Sequence, residues 1–185
     1  MFRNAEWSAW SRYAGKLLVG AALVISPVAL WSTAAGAQVP TCLGLPATII
    51  GTASHDVLNG TPGNDVIIGL GGDDTINGLG GNDTICGDDG NDSLNGGDGN
   101  DVLQGGNGDD ILAGDAAMDS LDGGAGNDSL YGGAEDDDLR GGDGDDQLWG
   151  HGGNDSLSGG NGGDYCNGGK GSDFADGSCE RREGI

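Results

Sequence analysis

Aliphatic residues recur at every ninth position through most of this chain, and polar residues and glycine fill the positions between them. From Gly51 to Asp176 the sequence divides without a gap into fourteen units of nine residues. Position 8 of the unit is leucine or isoleucine in the first twelve units, from Leu58 to Leu157, and then cysteine and alanine. One apolar residue in nine cannot form a core within a unit, whereas stacked units align these residues in one column. The pattern therefore predicts a stacked repeat fold.

The polar part of the unit also repeats. Position 1 is glycine and position 6 is aspartate in all fourteen units, and position 4 is glycine in all but three, which carry Ser54, Ala117 and Glu135. Glycine permits backbone conformations closed to other residues, so the first six residues are expected to form a loop on which carbonyl oxygens converge. The last three residues are expected to form a very short strand, with its middle side chain on one face.

This unit resembles the calcium-binding nonapeptide of the haemolysin-type (RTX) proteins, in the short secreted form that consists of repeats alone. The resemblance implies an all-β fold, a right-handed parallel β-roll of about seven two-strand turns with N- and C-terminal caps. The loops would lie along two edges of the roll, where units n and n+2 are neighbours. The resemblance also implies several Ca²⁺ ions between consecutive loops, held by main-chain carbonyls and position 6 carboxylates. Such an oxygen cage suits a hard divalent cation.

The predicted calcium ligands are the position 6 aspartates of the loops that keep glycine at position 4. Asp119 and Asp137 are left out, because their loops carry Ala117 and Glu135 there. Both loops fall on one edge, so the edges are predicted to be unequal, with the weakest site between Asp119 and Asp137. Met118 and Glu135 are expected to crowd that site, unless Glu135 turns inward as a replacement ligand. The predicted ligands are Asp65, Asp74, Asp83, Asp92, Asp101, Asp110, Asp128, Asp146, Asp155, Asp164 and Asp173.

Charge supports bound cations independently of the repeat. The whole chain has a net charge of −23, and residues 38–185 hold 4 basic and 29 acidic residues, a net charge of −25. Such a surface excludes nucleic acid and anionic membranes as partners. It also opposes collapse unless counterions are bound. A disordered glycine- and aspartate-rich tract is the rival interpretation, and it is favoured for the calcium-free chain.

The segment 1–37 has the features of a secretory signal peptide. Basic residues precede an apolar stretch from Leu17 to Trp31, and Ala35-Gly36-Ala37 matches a small-x-small cleavage pattern. The alternative is a retained membrane anchor, but fifteen apolar residues interrupted by Pro27 are short for a span. The mature protein is therefore expected to be secreted and extracellular, with no membrane attachment.

Two short segments flank the repeats of 51–176. Residues 38–50 are predicted to be an N-terminal cap with a strand at 47–50, although a flexible linker is the alternative. Residues 177–185 are predicted to be a C-terminal cap.

The four cysteines favour disulfides in an exported protein over a metal site, since no CxxC spacing is present. Three pairings are possible. Cys42–Cys86 and Cys166–Cys179 are preferred, because each joins an end segment to the nearest repeats. Position 9, where Cys86 lies, is expected to point outward, within reach of a segment that crosses the sheet.

Tyr131, Trp149 and Tyr165 are predicted to lie on the outward face of one sheet. They form either a stacking platform for a glycan or a protein partner, or a purely structural ladder. The sequence has no HExxH motif, no GxSxG motif and no phosphate loop, and its two histidines are far apart. The sequence is therefore not expected to be an enzyme. Together with the repeat and its resemblance, it predicts a secreted calcium-binding β-roll that folds on binding several Ca²⁺ ions. An extracellular adhesion module is the alternative.

Overall fold

The computed structural model describes residues 23–24 and 39–184, which form strands joined by turns, with no helix among them. Apart from Leu23–Val24, the expected signal peptide of residues 1–37 lies outside the described residues and stays a prediction. In the part of the chain that the structure describes, no helix has the length and apolarity needed to cross a membrane.

Nineteen strands follow one another along the described residues. They are β1 (Leu23–Val24), β2 (Thr41–Cys42), β3 (Leu45–Pro46), β4 (Ile49–Ile50), β5 (Val57–Asn59), β6 (Val66–Gly71), β7 (Thr75–Gly80), β8 (Thr84–Asp89), β9 (Ser93–Asp98), β10 (Val102–Asn107), β11 (Ile111–Ala116), β12 (Ser120–Ala125), β13 (Ser129–Ala134), β14 (Asp138–Asp143), β15 (Gln147–Gly152), β16 (Ser156–Asn161), β17 (Asp164–Lys170), β18 (Phe174–Ala175) and β19 (Cys179–Glu183).

Two large sheets face each other across the core. One has the strand order β1-β4-β6-β8-β10-β12-β14-β16-β18, and the other has the order β19-β17-β15-β13-β11-β9-β7-β5. From β4 onward consecutive strands alternate between the sheets, and each strand pairs in parallel with the strand two places along, as Val102 with Ser120. Two nonapeptides therefore complete one turn. The prediction of an all-β parallel β-roll of about seven turns is confirmed.

The position 8 side chains form the core of the roll. All twelve leucine and isoleucine residues of this set, from Leu58 to Leu157, are at most 1% exposed. The same cluster contains Ile49 at one end and Cys166, Ala175 and Cys179 at the other. A single column of buried side chains, one from each unit, joins the two sheets.

Most strands are longer than the sequence analysis predicted. A typical strand has six residues, such as Val102–Asn107, which joins positions 7–9 of one unit to positions 1–3 of the next. Only positions 4–6 form the turn. The glycine-rich positions were wrongly expected to lie outside the strands. They pair because the neighbouring strand presents the same positions of the unit in register, as position 2 does where Gly106 pairs with Asp88 and Gly124. The positive φ of 123° at Gly106 bends the strand without ending it.

The N-terminal segment packs on the outward face of the nine-stranded sheet. Strand β4 pairs in parallel with β6, and the hairpin β2–β3 precedes it. Cys42, Ala47, Ile68 and Cys86 form a second buried group, hereafter the outer cluster. The predicted disulfide Cys42–Cys86 is present within the outer cluster.

The C-terminal segment extends the eight-stranded sheet. Strand β19 pairs in parallel with β17, with a shift in register between Asp164 and Tyr165. The predicted disulfide Cys166–Cys179 joins these two strands, and both of its cysteines belong to the core.

The core column gives a direct stability test. Leu112→Ala in the calcium-loaded protein is expected to lower the free energy of unfolding by about 2–5 kcal/mol, because Leu112 is fully buried. The matched control is Ile111→Ala on the same strand, where the side chain is 51% exposed. Its effect is expected to stay within about 0.5 kcal/mol. Denaturant unfolding measures both variants, and equal losses would contradict the assignment of inward and outward positions.

Candidate metal-binding loops

The turns bring the position 6 aspartates into two buried rows, one along each edge of the roll. All twelve of these side chains from Asp65 to Asp164 are at most 7% exposed. Carboxylates are rarely buried to this extent unless they are paired or bind a metal ion. The atoms around these carboxylates therefore indicate whether the loops bind a metal ion.

One oxygen of each carboxylate is used within the protein. Oδ1 of Asp101 accepts the backbone N–H of Asp83 at 2.7 Å, and Oδ1 of Asp119 accepts that of Asp101 at 2.8 Å. The same bond repeats between units n and n+2 along both edges, with distances from 2.7 to 3.0 Å. This hydrogen bond sets the rotamer of every aspartate from Asp74 to Asp173.

The second oxygen of these carboxylates has no hydrogen-bond donor among the described residues. A buried acceptor without a donor costs about 1–3 kcal/mol, and more when it carries charge. A regular series of such atoms indicates that a species outside the polypeptide satisfies them. The atoms are Oδ2 of Asp74, Asp83, Asp92, Asp101, Asp110, Asp119, Asp128, Asp137, Asp146, Asp155, Asp164 and Asp173.

Each such oxygen points at the invariant glycine of position 1. A Cβ atom added to Gly78 would lie 2.6 Å from the carbonyl oxygen of Gly96 and closer still to Oδ2 of Asp83. In eight of the twelve units from the third onward, a Cβ added to the position 1 glycine would lie 2.5 to 2.8 Å from the position 1 carbonyl oxygen two units later. Any side chain at position 1 would fill this space. The glycine therefore keeps open a cradle lined by oxygen atoms.

The donor set of this cradle fits calcium. No group of three or more His, Cys, Asp or Glu side chains converges on one point among the described residues. Each loop instead supplies one carboxylate, so further ligands would come from backbone carbonyls such as those of the position 1 glycines. Calcium accepts such mixed oxygen ligands at flexible geometry, whereas soft metals prefer thiolate or imidazole.

In the metal-free chain, burial raises the pKa of these carboxyl groups. Desolvation is the largest cause, a backbone N–H partly offsets it, and neighbouring aspartates raise the pKa further. The pKa of Asp74, Asp101, Asp128 and Asp146 rises to about 6. The pKa of Asp110, Asp119 and Asp137 rises to about 7. Burial therefore disfavours the charged form of these carboxyl groups, and a cation beside them would compensate the charge.

The structure brings the predicted ligands together in the expected rows, with one difference. Ten of the eleven have an Oδ2 without a donor, from Asp74 to Asp173. In Asp65 this atom already accepts hydrogen bonds from N–H and Oγ1 of Thr61. Conversely, Asp119 and Asp137, which were left out, have the same geometry as the predicted ligands.

The predicted inequality of the edges stays a prediction, but one proposed cause is wrong. Met118 and Glu135 are exposed and do not crowd the loops, and Glu135 does not turn inward. The other cause is present, because Ala117 and Glu135 have φ values of 80° and 75°, in the left-handed region that favours glycine.

A second row of side chains, which the sequence analysis missed, adds a difference between the edges. Position 5 is asparagine or aspartate in ten of fourteen units. Its Oδ1 accepts the position 5 N–H two units later, as Asn82 does from Asn100 at 3.1 Å. The bond from Met118 to Asn100 is 3.4 Å long, and the Met118 side chain lacks an oxygen to accept the next one. The recurrence of asparagine and aspartate at position 5 was the available signal.

The predicted aromatic group lies on one sheet, as expected. The rings of Tyr131 and Trp149 are parallel, with centroids 4.7 Å apart, and Tyr165 is tilted at 6.1 Å from Trp149. The two parallel rings therefore cover one face of each other.

A parallel β-solenoid with glycine loops and rows of buried carboxylates is a repeat architecture built around its turns. The model of the RTX calcium-binding nonapeptide repeat matches four times, at residues 50–85, 87–117, 114–148 and 140–175. These matches cover well over half of the chain, and the protein belongs to this calcium-binding repeat family. A comparison with curated proteins gives no match.

Proposed function

We propose that this protein is a secreted calcium-binding β-roll that folds when Ca²⁺ ions bind between its loops. The series of buried Oδ2 atoms without donors, from Asp74 to Asp173, is the observation that carries the proposal. A cation between the loops would satisfy these atoms and neutralise the charge that burial disfavours. Membership of a calcium-binding repeat family supports the same metal.

Coupling of metal binding to folding follows from the balance of forces. The core contributes one buried side chain per unit, and the ordering of a residue costs about 1–2 kcal/mol in backbone entropy. Residues 38–185 carry a net charge of −25, which opposes stacking of acidic loops. Calcium binding supplies the missing free energy, so the metal-free chain is expected to be largely unfolded at neutral pH.

A secreted location fits this requirement. The proposed signal peptide of residues 1–37 would deliver the chain to an environment where calcium is abundant. Extracellular modules with oxygen ligands bind calcium with dissociation constants of about 10⁻⁴ to 10⁻³ M. Disulfides such as Cys42–Cys86 also persist in an oxidising compartment.

Circular dichroism tests the proposal. In excess chelator the spectrum is expected to be that of a largely unfolded chain, and millimolar calcium is expected to make it β-rich. Magnesium at the same concentration is the control and is expected to fail, because it resists dehydration and demands octahedral geometry. A fully β-rich spectrum in excess chelator at neutral pH would contradict the proposal.

The alternative function, a glycan- or protein-binding face at Tyr131, Trp149 and Tyr165, has less support. A sugar stacks on an exposed ring face, and two of these faces are covered by the contact between Tyr131 and Trp149. We therefore interpret the aromatic group as a ladder that stabilises neighbouring strands. We also propose no catalytic activity, since the family is defined by a structural calcium-binding repeat.

A further inference from the structure

The loops of the first two units differ from all later loops. Position 2 has a positive φ in every unit from the third to the fourteenth, whether the residue is Gly97 or Leu79. Thr52 and Thr61 occupy position 2 of the first two units, and neither has a positive φ. Position 4 follows the same division, since Ser54 and Gly63 also lack the positive φ of later units.

The sequence explains this difference. A β-branched residue such as threonine is strongly disfavoured at positive φ, so Thr52 and Thr61 cannot take the backbone conformation of the later loops. Pro62 follows Thr61 and has no N–H to extend a strand. Accordingly, strand β5 ends at Asn59, before these residues, whereas a typical later strand runs on to position 3 of the next unit.

The altered loop turns threonine into a cap for the aspartate of its own unit. Oδ2 of Asp65 accepts the backbone N–H of Thr61 at 2.7 Å and its hydroxyl at 2.9 Å. Oδ2 of Asp56 accepts the equivalent bonds from Thr52 at 2.7 Å and 2.8 Å. Oδ1 of Asp65 also accepts the hydroxyl of Thr48 at 3.2 Å. Both oxygens of Asp65 therefore have donors from the protein.

The Oδ2 atoms of Asp56 and Asp65 also lie farther from the position 1 glycine than those of the later units. Oδ2 lies 3.2 Å from a Cβ added to Gly51 and 3.1 Å from one added to Gly60, and it lies nearer in every later unit. The series of Oδ2 atoms without donors begins only at Asp74. Threonine thus supplies the compensation that a cation would supply in the later loops.

Two further features stabilise this end without metal. The outer cluster gives the N-terminal end of the roll a second apolar core, and Ile50, Val66 and Leu70 pack against it. The disulfide Cys42–Cys86 joins the N-terminal segment to the fourth unit. Acidic residues are also sparse here. Residues 39–86 contain 5 acidic residues in 48 positions, whereas residues 87–176 contain 22 in 90.

We propose that Asp56 and Asp65 bind no calcium, and that residues 40–86 form a seed that is folded before calcium binds. The turns from the fifth unit onward then stack on this seed as they bind calcium. The loops of Asp56 and Asp65 require only contacts within the protein, whereas calcium binding at Asp74, Asp83 and the later loops rests on the proposed function. Folding would therefore proceed from the N-terminal end of the roll, with the exposed edge of the seed as template.

Calcium stoichiometry tests the first half of the proposal. Asp65→Asn and Asp83→Asn alter consecutive loops of the same edge, and asparagine keeps one side-chain oxygen as an acceptor. Equilibrium dialysis is expected to find the wild-type number of ions in Asp65→Asn and at least one ion fewer in Asp83→Asn. An equal loss from the two variants would overturn the assignment of Asp65 as a residue that binds no metal.

Hydrogen exchange of the full chain in excess chelator at neutral pH tests the second half. Amides of strands β6 to β8 are expected to exchange at least about ten-fold more slowly than those of β11 to β16. The double variant Thr52→Gly/Thr61→Gly is expected to lose this protection in chelator while keeping it at saturating calcium. Thr75→Ala, at a threonine that caps no carboxylate, is the matched control and is expected to behave like wild type.

The outcomes separate this proposal from the proposed function. Fast exchange everywhere in chelator, with protection restored by calcium, would overturn the seed and leave the calcium-dependent roll standing. Slow exchange throughout the repeats in chelator would overturn calcium-coupled folding itself. Protection of β6 to β8 that survives the double variant would overturn the role of the threonines.

Discussion

In excess chelator the roll is expected to gain stability as the pH falls from about 7 to about 4. The buried position 6 carboxyl groups have raised pKa values, about 6 for Asp101 and about 7 for Asp110, against about 3.9 in an unfolded chain. Between these values the folded state binds more protons than the unfolded state. The free energy of unfolding therefore falls as the pH rises through this window and is highest below it.

Calcium is expected to reverse the sign of this dependence. The ion binds the carboxylate and not the carboxylic acid, so protons compete with it below about pH 7. Each pKa unit corresponds to about 1.4 kcal/mol per group, and several groups titrate together, so the effect should be large. The β-rich fraction seen by circular dichroism at pH 5 and pH 7.5, with chelator and with calcium, measures it. A calcium-free stability that rises with pH would contradict the assignment of these carboxyl groups.

The repeat period predicted the fold because each position of the unit has one structural role. An aliphatic residue at every ninth position, as at Leu94 and Leu103, specifies a core column without any long-range information. The preference for Cys42–Cys86 used the same frame, since Cys86 lies at an outward position within reach of Cys42, whereas Cys166–Cys179 was preferred because it joins the C-terminal segment to the nearest repeat. Strand length could not be predicted this way, because the glycine-rich positions pair only through the same positions of the neighbouring unit, which lie beside them in the folded roll.

The site was predicted as a row of aspartates, but not in its detail. All position 6 residues are aspartate, so the sequence pattern alone makes Asp65 equivalent to Asp83. The difference lies in Thr61, whose N–H and hydroxyl reach Oδ2 of Asp65 only in the folded loop. Threonine is also common at the start of ordinary turns. Only the φ values show that it excludes the backbone conformation of the later loops.

The calcium site between Asp119 and Asp137 is still expected to be weak, and the main reason is the backbone conformation of its two loops. The row of carboxylates passes through Asp119 and Asp137 unbroken, with a hydrogen bond of 2.9 Å between them. Ala117 and Glu135 have left-handed φ values that glycine would adopt without strain. The row of position 5 side chains is also interrupted at Met118. These two features, and not steric crowding, would make this part of the edge the first to open.

Substitutions at position 4 are expected to change stability in opposite directions at neighbouring loops. Ala117→Gly is expected to raise the free energy of unfolding of the calcium-loaded protein by about 1 kcal/mol, because it removes a strained left-handed residue. Gly108→Ala is expected to lower it by about 3 kcal/mol, the upper end of the cost of a strained backbone. Gly108 has a φ of 130°, and an added Cβ would overlap the carbonyl oxygen of Gly90.

Denaturant unfolding at saturating calcium measures both variants, and calcium titration should follow the same order. Glu135→Gly added to Ala117→Gly is expected to strengthen calcium binding at the loops of Asp119 and Asp137. Gly177→Ala is the matched control, because Gly177 lies outside the repeats and an added Cβ there meets nothing within 4 Å. If Ala117→Gly destabilised the roll instead, the backbone of this loop would be unstrained, and no reason for a weak site between Asp119 and Asp137 would remain beyond the interrupted position 5 row.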